Sequence, residues 1–140
     1  MLVALFMAGL VGRAAEAARM KNYDQWKDLP SKTLIKKGDA YWHADRIDSA
    51  LVCFVIVSNK YSDKQTEKEK KLSCAATLSV ANLYLNYFYD YQTALRYLLK
   101  SKEIATKNDI ESSLAAIESS MAVLQAARIE IGHLRPSDGC

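Results

Sequence analysis

Apolar residues recur every three or four positions along most of this 140-residue chain. That spacing is the period of an amphipathic helix, whereas a half-buried strand alternates every second residue. A last apolar series ends at Gly132, and glycine is a common helix stop. The chain is therefore expected to be all-α, with about five to six helices. The predicted helices cover about residues 32–44, 46–60, 66–89, 91–107 and 109–131.

One run of eight apolar residues, at positions 50–57, is the place where a strand competes with a helix. Half of its residues are β-branched, and a short apolar run of this kind also fits a buried strand. However, Ala50, Phe54 and Val57 continue a helical spacing that begins at Ile47, and the sequence offers no second strand to pair with. We therefore expect a helix that is buried on more than one side.

Short polar residues mark the expected helix ends. Ser31 follows a proline and is expected to cap the first long helix, because its side chain can accept from a free backbone N–H. Asp45 and Asp90 are expected to cap the second helix of each pair in the same way. Asn108 is expected to take the left-handed conformation that ends a helix, and Asp109 to cap the terminal helix.

The two helix pairs are copies of one pattern. They align without an internal gap, and Gly38 is separated from Ala50 by the same number of residues as Asn82 is from Ala94. Glycine inside a helix costs about 1 kcal/mol relative to alanine, so Gly38 is expected to lie where another helix approaches closely. The residues of this shared pattern are Leu34, Gly38, Tyr41, Ala50 and Phe54 in the first copy, and Leu78, Asn82, Leu85, Ala94 and Leu98 in the second.

This pattern resembles the tetratricopeptide repeat, in which a helix hairpin carries small and aromatic residues at fixed positions. The chain departs from it in lacking the terminal proline and in having Asn82 and Leu85 where glycine and tyrosine are usual. The resemblance implies an α-solenoid of antiparallel helix hairpins within residues 18–132. Its repeats would cover about residues 31–61 and 75–107, followed by the terminal helix at 109–131.

The resemblance also implies a binding groove, because the first helix of each tetratricopeptide repeat lines a concave surface. The mixed aromatic and polar character of the transferred positions suits an extended peptide or a helix. The implied function is a non-catalytic protein–protein interaction scaffold, such as the sensor part of a signalling protein. Packing of Trp42 and Tyr87 against neighbouring helices remains an alternative role for these two rings. The groove positions are Ile35, Asp39, Trp42, His43, Leu83, Asn86 and Tyr87, with Lys32, Ala76 and Ser79 beside them.

Residues 1–17 form a short apolar segment that ends in small residues. This is typical of a secretory leader, with 15–17 as a cleavage site, although no basic residue precedes the apolar run. An apolar N-terminal helix is the alternative. The leader together with the repeats resembles exported bacterial sensor proteins, so a periplasmic or membrane-associated location is expected. If no leader is cleaved, a cytoplasmic location is expected. Residues 133–140 are expected to be a disordered tail.

The resemblance implies a protein or peptide partner. A net charge of +3 is too small to indicate nucleic acid, so no nucleic acid is expected. No small-molecule substrate is expected either. The alternative is a nucleic-acid-binding or transcription-linked regulatory domain that uses the lysine-rich segment near residue 68. Because the terminal helix has no following partner, self-association through its apolar face is also expected.

Motifs for catalysis, cofactors or metals are not recognised in the sequence. There is no nucleophile motif or phosphate-binding glycine loop, and the two histidines, His43 and His133, are far apart. We therefore expect no catalytic residue, no cofactor and no metal site. Cys53 and Cys74 lie within helical patterns and are expected to be small buried thiols, although pairing in an oxidising compartment is an alternative.

Overall fold

The computed structural model describes residues 20–134, and this part of the chain is all-α, without strands. The predicted leader at residues 1–17 and most of the predicted tail, residues 135–140, lie outside the described residues. No helix in the described range has the length and apolarity needed to cross a membrane. The helices are α1 (Tyr23–Trp26), α2 (Ser31–His43), α3 (Ile47–Asn59), α4 (Glu67–Asn86), α5 (Tyr91–Lys107) and α6 (Glu111–Leu134).

Each helix from α2 onwards packs against the next one along the chain. We call α2 and α3 the first helix pair, and α4 and α5 the second helix pair. Contacts also skip one helix, because α1 packs against α3, α2 against α4, and α4 against α6. Short connections explain the sequential contacts, since they leave neighbouring helices little freedom to separate.

Helix α3 forms the centre of the main hydrophobic core. Its residues from Ala50 to Ser58 are all buried, which confirms the helix expected over the apolar run at 50–57 and its burial on several sides. A smaller cluster joins α4, α5 and α6 through Cys74, Ile104 and Ile117. Together the two clusters hold both helix pairs and the terminal helix in one body.

The predicted helix boundaries are close, but several of the predicted caps are wrong. Asp90 does cap α5, since its Oδ1 accepts from the Thr93 backbone N–H at 3.1 Å. Ser31 is instead the first residue of α2, and its side chain caps nothing, because Pro30 occupies the cap position. Thr66, whose capping role the sequence analysis missed, accepts from the Glu69 N–H at 3.2 Å and caps α4.

Three short connections in the described chain each contain one residue in the left-handed conformation. These residues are Asp45 (φ 61°), Tyr89 (φ 53°) and Asp109 (φ 54°). Asp45 therefore ends α2 rather than capping α3. Likewise Asp109, and not Asn108 (φ −111°), is the left-handed residue before α6. Aspartate tolerates this conformation better than most residues because its short polar side chain can bond locally.

Two of these turns share one hydrogen-bond arrangement. The Arg46 N–H donates to the Tyr41 carbonyl at 2.8 Å, and the Ile110 N–H donates to the Ala105 carbonyl at 2.9 Å. A bond of this span beside a left-handed residue is the Schellman motif. The terminal helix does not stop at Gly132, as the sequence suggested, but continues to Leu134. One glycine alone does not end a helix when the following residues can extend it.

Candidate interaction surface

The close approach expected at Gly38 is confirmed. A Cβ atom added there would lie 2.8 Å from Cζ of Phe54 and 3.2 Å from Cβ of Cys53. Phe54 is itself buried, so its ring could not move aside easily. Glycine at this position lets the ring lie directly beneath α2. The same ring meets Trp42 edge to face, with centroids 6.1 Å apart.

The other residues of the repeat pattern also lie at helix contacts. Leu34, Ala50, Ala94 and Leu98 have no exposed surface, and Leu85 is nearly buried. Tyr41 stacks on Trp26 of α1 with ring centroids 5.8 Å apart. Asn82, which replaces the glycine in the second copy, accepts a hydrogen bond from Ser120 of α6 at 2.8 Å, and Leu78 is partly buried beside both clusters.

Trp42 and Tyr87 meet between the first and second helix pairs. The Trp42 Nε1–H donates to the Tyr87 hydroxyl at 3.0 Å, and the rings lie edge to face with centroids 6.2 Å apart. The two rings therefore pack on each other, as one of the two roles considered from sequence requires. Tyr87 nevertheless keeps 43% of its surface exposed. Because its hydroxyl oxygen accepts from Trp42, the hydroxyl proton is available to another acceptor.

Exposed polar residues lie close in sequence to this aromatic pair. Asp39, His43 and Asn86 are exposed. The His43 Nδ1 lies 2.7 Å from the Asp39 carbonyl oxygen; since that oxygen can only accept, Nδ1 carries the proton. We call Asp39, Trp42, His43, Asn86 and Tyr87 the α2–α4 surface, because they lie on α2 and at the C-terminal end of α4, and the two helices pack together.

Two of the groove residues predicted from sequence do not lie on this surface as expected. Leu83 has no exposed surface and Ile35 is only partly exposed; both pack in the main core. The prediction for Leu83 is wrong because α4 packs against α2, α3, α5 and α6, so that it is buried on more than one side. Its neighbour Asn82 is partly exposed instead, and Ala76 is buried for the same reason as Leu83.

Sequence reasoning missed Tyr89, which lies in the connection after α4. Its side chain is 68% exposed and its backbone has a φ of 53°. A left-handed tyrosine is unfavourable by about 1–2 kcal/mol, and strained residues concentrate at functional sites. The sequence did contain a signal, namely the aromatic residues clustered at 87–91. From sequence, position 89 was predicted only as the end of a helix.

Two buried hydroxyl groups and one lysine ammonium form a chain of hydrogen bonds that joins α3, α4 and α5. The Thr77 hydroxyl donates to the Ser73 carbonyl at 2.7 Å, so Ser58 is the donor in the 2.7 Å contact between Ser58 Oγ and Thr77 Oγ1. The Lys100 ammonium donates to Ser58 Oγ at 2.9 Å and to the Ser58 carbonyl at 3.1 Å. Some serine nucleophiles have a lysine partner, but Ser58 has no exposed surface. This contact therefore holds a positive charge at the C-terminal end of α3, where it stabilises the helix.

Both cysteines of the described chain are free and buried. Burial raises the pKa of the Cys53 thiol to about 11, against a smaller opposing effect of the Lys37 ammonium. Cys74 instead makes a reciprocal contact between α4 and α5. Its Sγ donates to the Ser101 carbonyl at 3.5 Å, and the Ser101 hydroxyl donates to the Cys74 carbonyl at 3.2 Å. The expectation of buried thiols is confirmed.

The lysine-rich start of α4 has charges of both signs. Lys107 of α5 approaches Asp63 at 2.8 Å. Their hydrogen bond lowers the pKa of the Asp63 carboxyl and raises the pKa of Lys107. Acidic and basic side chains therefore lie next to one another in this segment. The exposed charged residues here are Lys64, Glu67, Lys68, Glu69 and Lys71.

Neither metal-ligand geometry nor similarity to known proteins adds to this surface. Among residues 20–134, no group of three or more His, Cys, Asp and Glu side chains could hold a metal ion. No protein-family model, curated protein or solved structure matches the chain.

Proposed function

We propose that this chain is a non-catalytic protein-interaction module of the tetratricopeptide type, which binds an extended peptide or a helix on the α2–α4 surface. One observation carries the proposal: α2 packs against α4 and α4 against α6, while α1 packs against α3. Alternate helices thus associate with one another, as they do when hairpins stack side by side. The α2–α4 surface is then the exposed face of one such layer.

The chemistry of the α2–α4 surface suits a peptide. The Asp39 carboxylate and the Asn86 side chain are exposed, and they supply acceptors and donors for peptide amides. The exposed part of Tyr87 supplies an apolar contact with a hydroxyl donor at its end. A surface with both kinds of group can hold a peptide backbone and also select its side chains.

The aromatic pair makes this surface rigid before any ligand arrives. The hydrogen bond between Trp42 and Tyr87 fixes both rings, and the edge-to-face contact with Phe54 fixes Trp42 from below. Immobilising a mobile side chain on binding costs about 0.5–1.5 kcal/mol. Because these two rings are already fixed, a ligand that contacts them avoids most of this cost. Preorganised aromatic side chains are common anchors in protein interfaces.

Selection from a random peptide library tests the proposal. Peptides retained by the wild-type chain are titrated against Asp39→Arg and Asn86→Arg, and we expect at least a roughly ten-fold loss of affinity, or about 1.4 kcal/mol. Glu103→Arg is the matched control, because it reverses an exposed charge on α5 and should leave affinity unchanged. Equal losses in all three variants, or no selected peptide, would contradict the proposal.

Tyr89 provides a second variant that separates binding from folding. Tyr89→Gly relieves the left-handed strain, so the variant should be at least as stable as the wild type. If the exposed ring contacts the peptide, the same variant binds more weakly. A variant that is more stable and binds equally well would remove Tyr89 from the binding surface.

A further inference from the structure

An apolar groove lies between α5 and the C-terminal half of α6, away from the α2–α4 surface. Its volume is about 430 Å³. Leu99, one helical turn after the groove residue Leu95, is 50% exposed, and Val123 and Ile129 of α6 are each 53% exposed. Exposed apolar area of this kind usually marks an interaction site. The groove is lined by Leu95, Met121, Leu124, Gln125, Arg128 and Ile129.

The exposed face of α6 has the spacing of a helix–helix seam. Glu118, Ala122, Gln125 and Ile129 follow one another at intervals of four, three and four residues, and all four are exposed. This is the alternation by which one helix presents a continuous line to another. Between Glu118 and Arg128 the helix has no charged residue, so a second helix could cover this stretch without burying a charge.

The two charges that border this stretch identify the occupant. Glu118 and Arg128 each lie five residues from Val123, or about 7.5 Å along the helix axis. In an antiparallel pair of α6 helices that pack along this line, with the twofold axis level with Val123, Glu118 of each copy therefore lies level with Arg128 of the other. Both residues are exposed, and neither forms an ion pair with another described side chain.

We propose that α6 is the interface of a symmetric dimer, in which two copies of this chain pack their α6 helices antiparallel along the line from Glu118 to Ile129, about a twofold axis level with Val123. A twofold axis makes the interface self-complementary, so each apolar and charged contact occurs twice. The antiparallel direction also sets opposite helix dipoles side by side. The apolar rim of the groove then lies next to the partner helix instead of water.

Sedimentation velocity over a range of concentrations tests the dimer. The wild type should sediment as a dimer at high concentration, and either Glu118→Arg or Arg128→Glu should weaken association roughly ten-fold, since each places two like-charge contacts in the interface. The double variant, with both charges reversed, should restore association. Glu103→Arg is the control and should associate like the wild type.

Two results would overturn this proposal. One is a wild-type chain that remains monomeric at hundreds of micromolar, and the other is a double variant that associates no better than the single ones. Circular dichroism of each variant verifies that the exposed substitutions leave the helices intact. Peptide binding on the α2–α4 surface is measured on the same variants and should not change, so failure of the dimer and failure of the proposed peptide site are distinguishable.

Discussion

The two helix pairs have the same pattern of residues but are held together by different contacts. In the first pair, Gly38 lies against the ring of Phe54 and leaves no room for a Cβ atom. In the second pair, Asn82 occupies the glycine position and reaches Ser120 of α6, while Leu98 takes the place of Phe54. A leucine is shorter than a phenylalanine. We infer that the size of the residue at this position decides whether glycine is required in the first helix of the pair.

The turn inside each helix pair likewise has the same position but a different residue. Asp45 and Tyr89 are equivalent by position in the two copies, and both are left-handed. The backbone turn is thus repeated although the residues differ. Aspartate suits the conformation and tyrosine does not, which indicates that the turn is set by the helix packing rather than by the residue.

The largest expected effect comes from removing the ring that defines the first pair. Phe54→Ala leaves a cavity in a fully buried site, and we expect the free energy of unfolding to fall by about 3–5 kcal/mol. Urea denaturation measures it. Leu99→Ala is the control, because Leu99 is half exposed, and it should cost less than about 1 kcal/mol. Similar losses in the two variants would mean that Phe54 is not a core residue.

Cys53, in the first helix pair, makes the stability of the fold depend on pH. The pKa of Cys53 is raised to about 11 in the folded chain, whereas the unfolded thiol loses its proton above about pH 9. The folded state is therefore destabilised as pH rises from about 9 to 11, by about 2 kcal/mol in total. Stability measured across this range should fall more steeply in the wild type than in Cys53→Ala. Parallel curves would show that Cys53 is accessible to solvent.

Substitution at the glycine position compares the pairs directly. Gly38→Ala forces Cβ into the Phe54 ring, a loss of about 1–3 kcal/mol that the better helix propensity of alanine reduces by up to about 1 kcal/mol. We expect Asn82→Ala to stay within about 1 kcal/mol of the wild type, because the lost hydrogen bond and the gained propensity nearly cancel. Thermal unfolding of both variants measures the difference.

A double substitution sharpens this prediction. In a Phe54→Leu background, which copies the second pair, Gly38→Ala should be neutral or stabilising, since the ring no longer blocks Cβ. The coupling between the two positions is then the difference between the two effects of Gly38→Ala. If Gly38→Ala costs the same in both backgrounds, the contact with Phe54 is not what requires glycine.

The smallest effects are expected in the two equivalent turns. Tyr89→Gly should raise the free energy of unfolding by about 0.5–1 kcal/mol, because glycine adopts the left-handed conformation without strain. Asp45→Gly should change it by only a few tenths, since aspartate already tolerates this conformation. A shift in melting temperature measures both. A destabilised Tyr89→Gly would show that the tyrosine ring makes contacts that outweigh its strain.

Elements whose signal is local were predictable from the sequence. The helical spacing gave the start and end of α5, and the unusual cost of glycine in a helix gave the close approach at Gly38. Which residue takes the left-handed conformation was not predictable between Asn108 and Asp109, because both tolerate it. The choice depends on where the next helix must begin, which is a property of the packed fold.

The exposure of the residues predicted to line a groove was predictable only in part. Asp39, Trp42 and Tyr87 lie on or near the surface of adjacent helices, as the repeat pattern implied. Leu83 does not, because its burial depends on how many helices pack against α4, and transferred positions take no account of that. Its apolar side chain already favoured burial, since leucine is more often a core residue than a surface residue.

The central claim is that a peptide binds the α2–α4 surface. Its most direct test is an NMR titration of the isotope-labelled chain with a peptide selected from the library. The account predicts that backbone amide shifts change at residues 39–43 and 86–89 and stay constant around Glu103 on α5. Shift changes centred elsewhere, for example along α6 at residues 118–129, would contradict it.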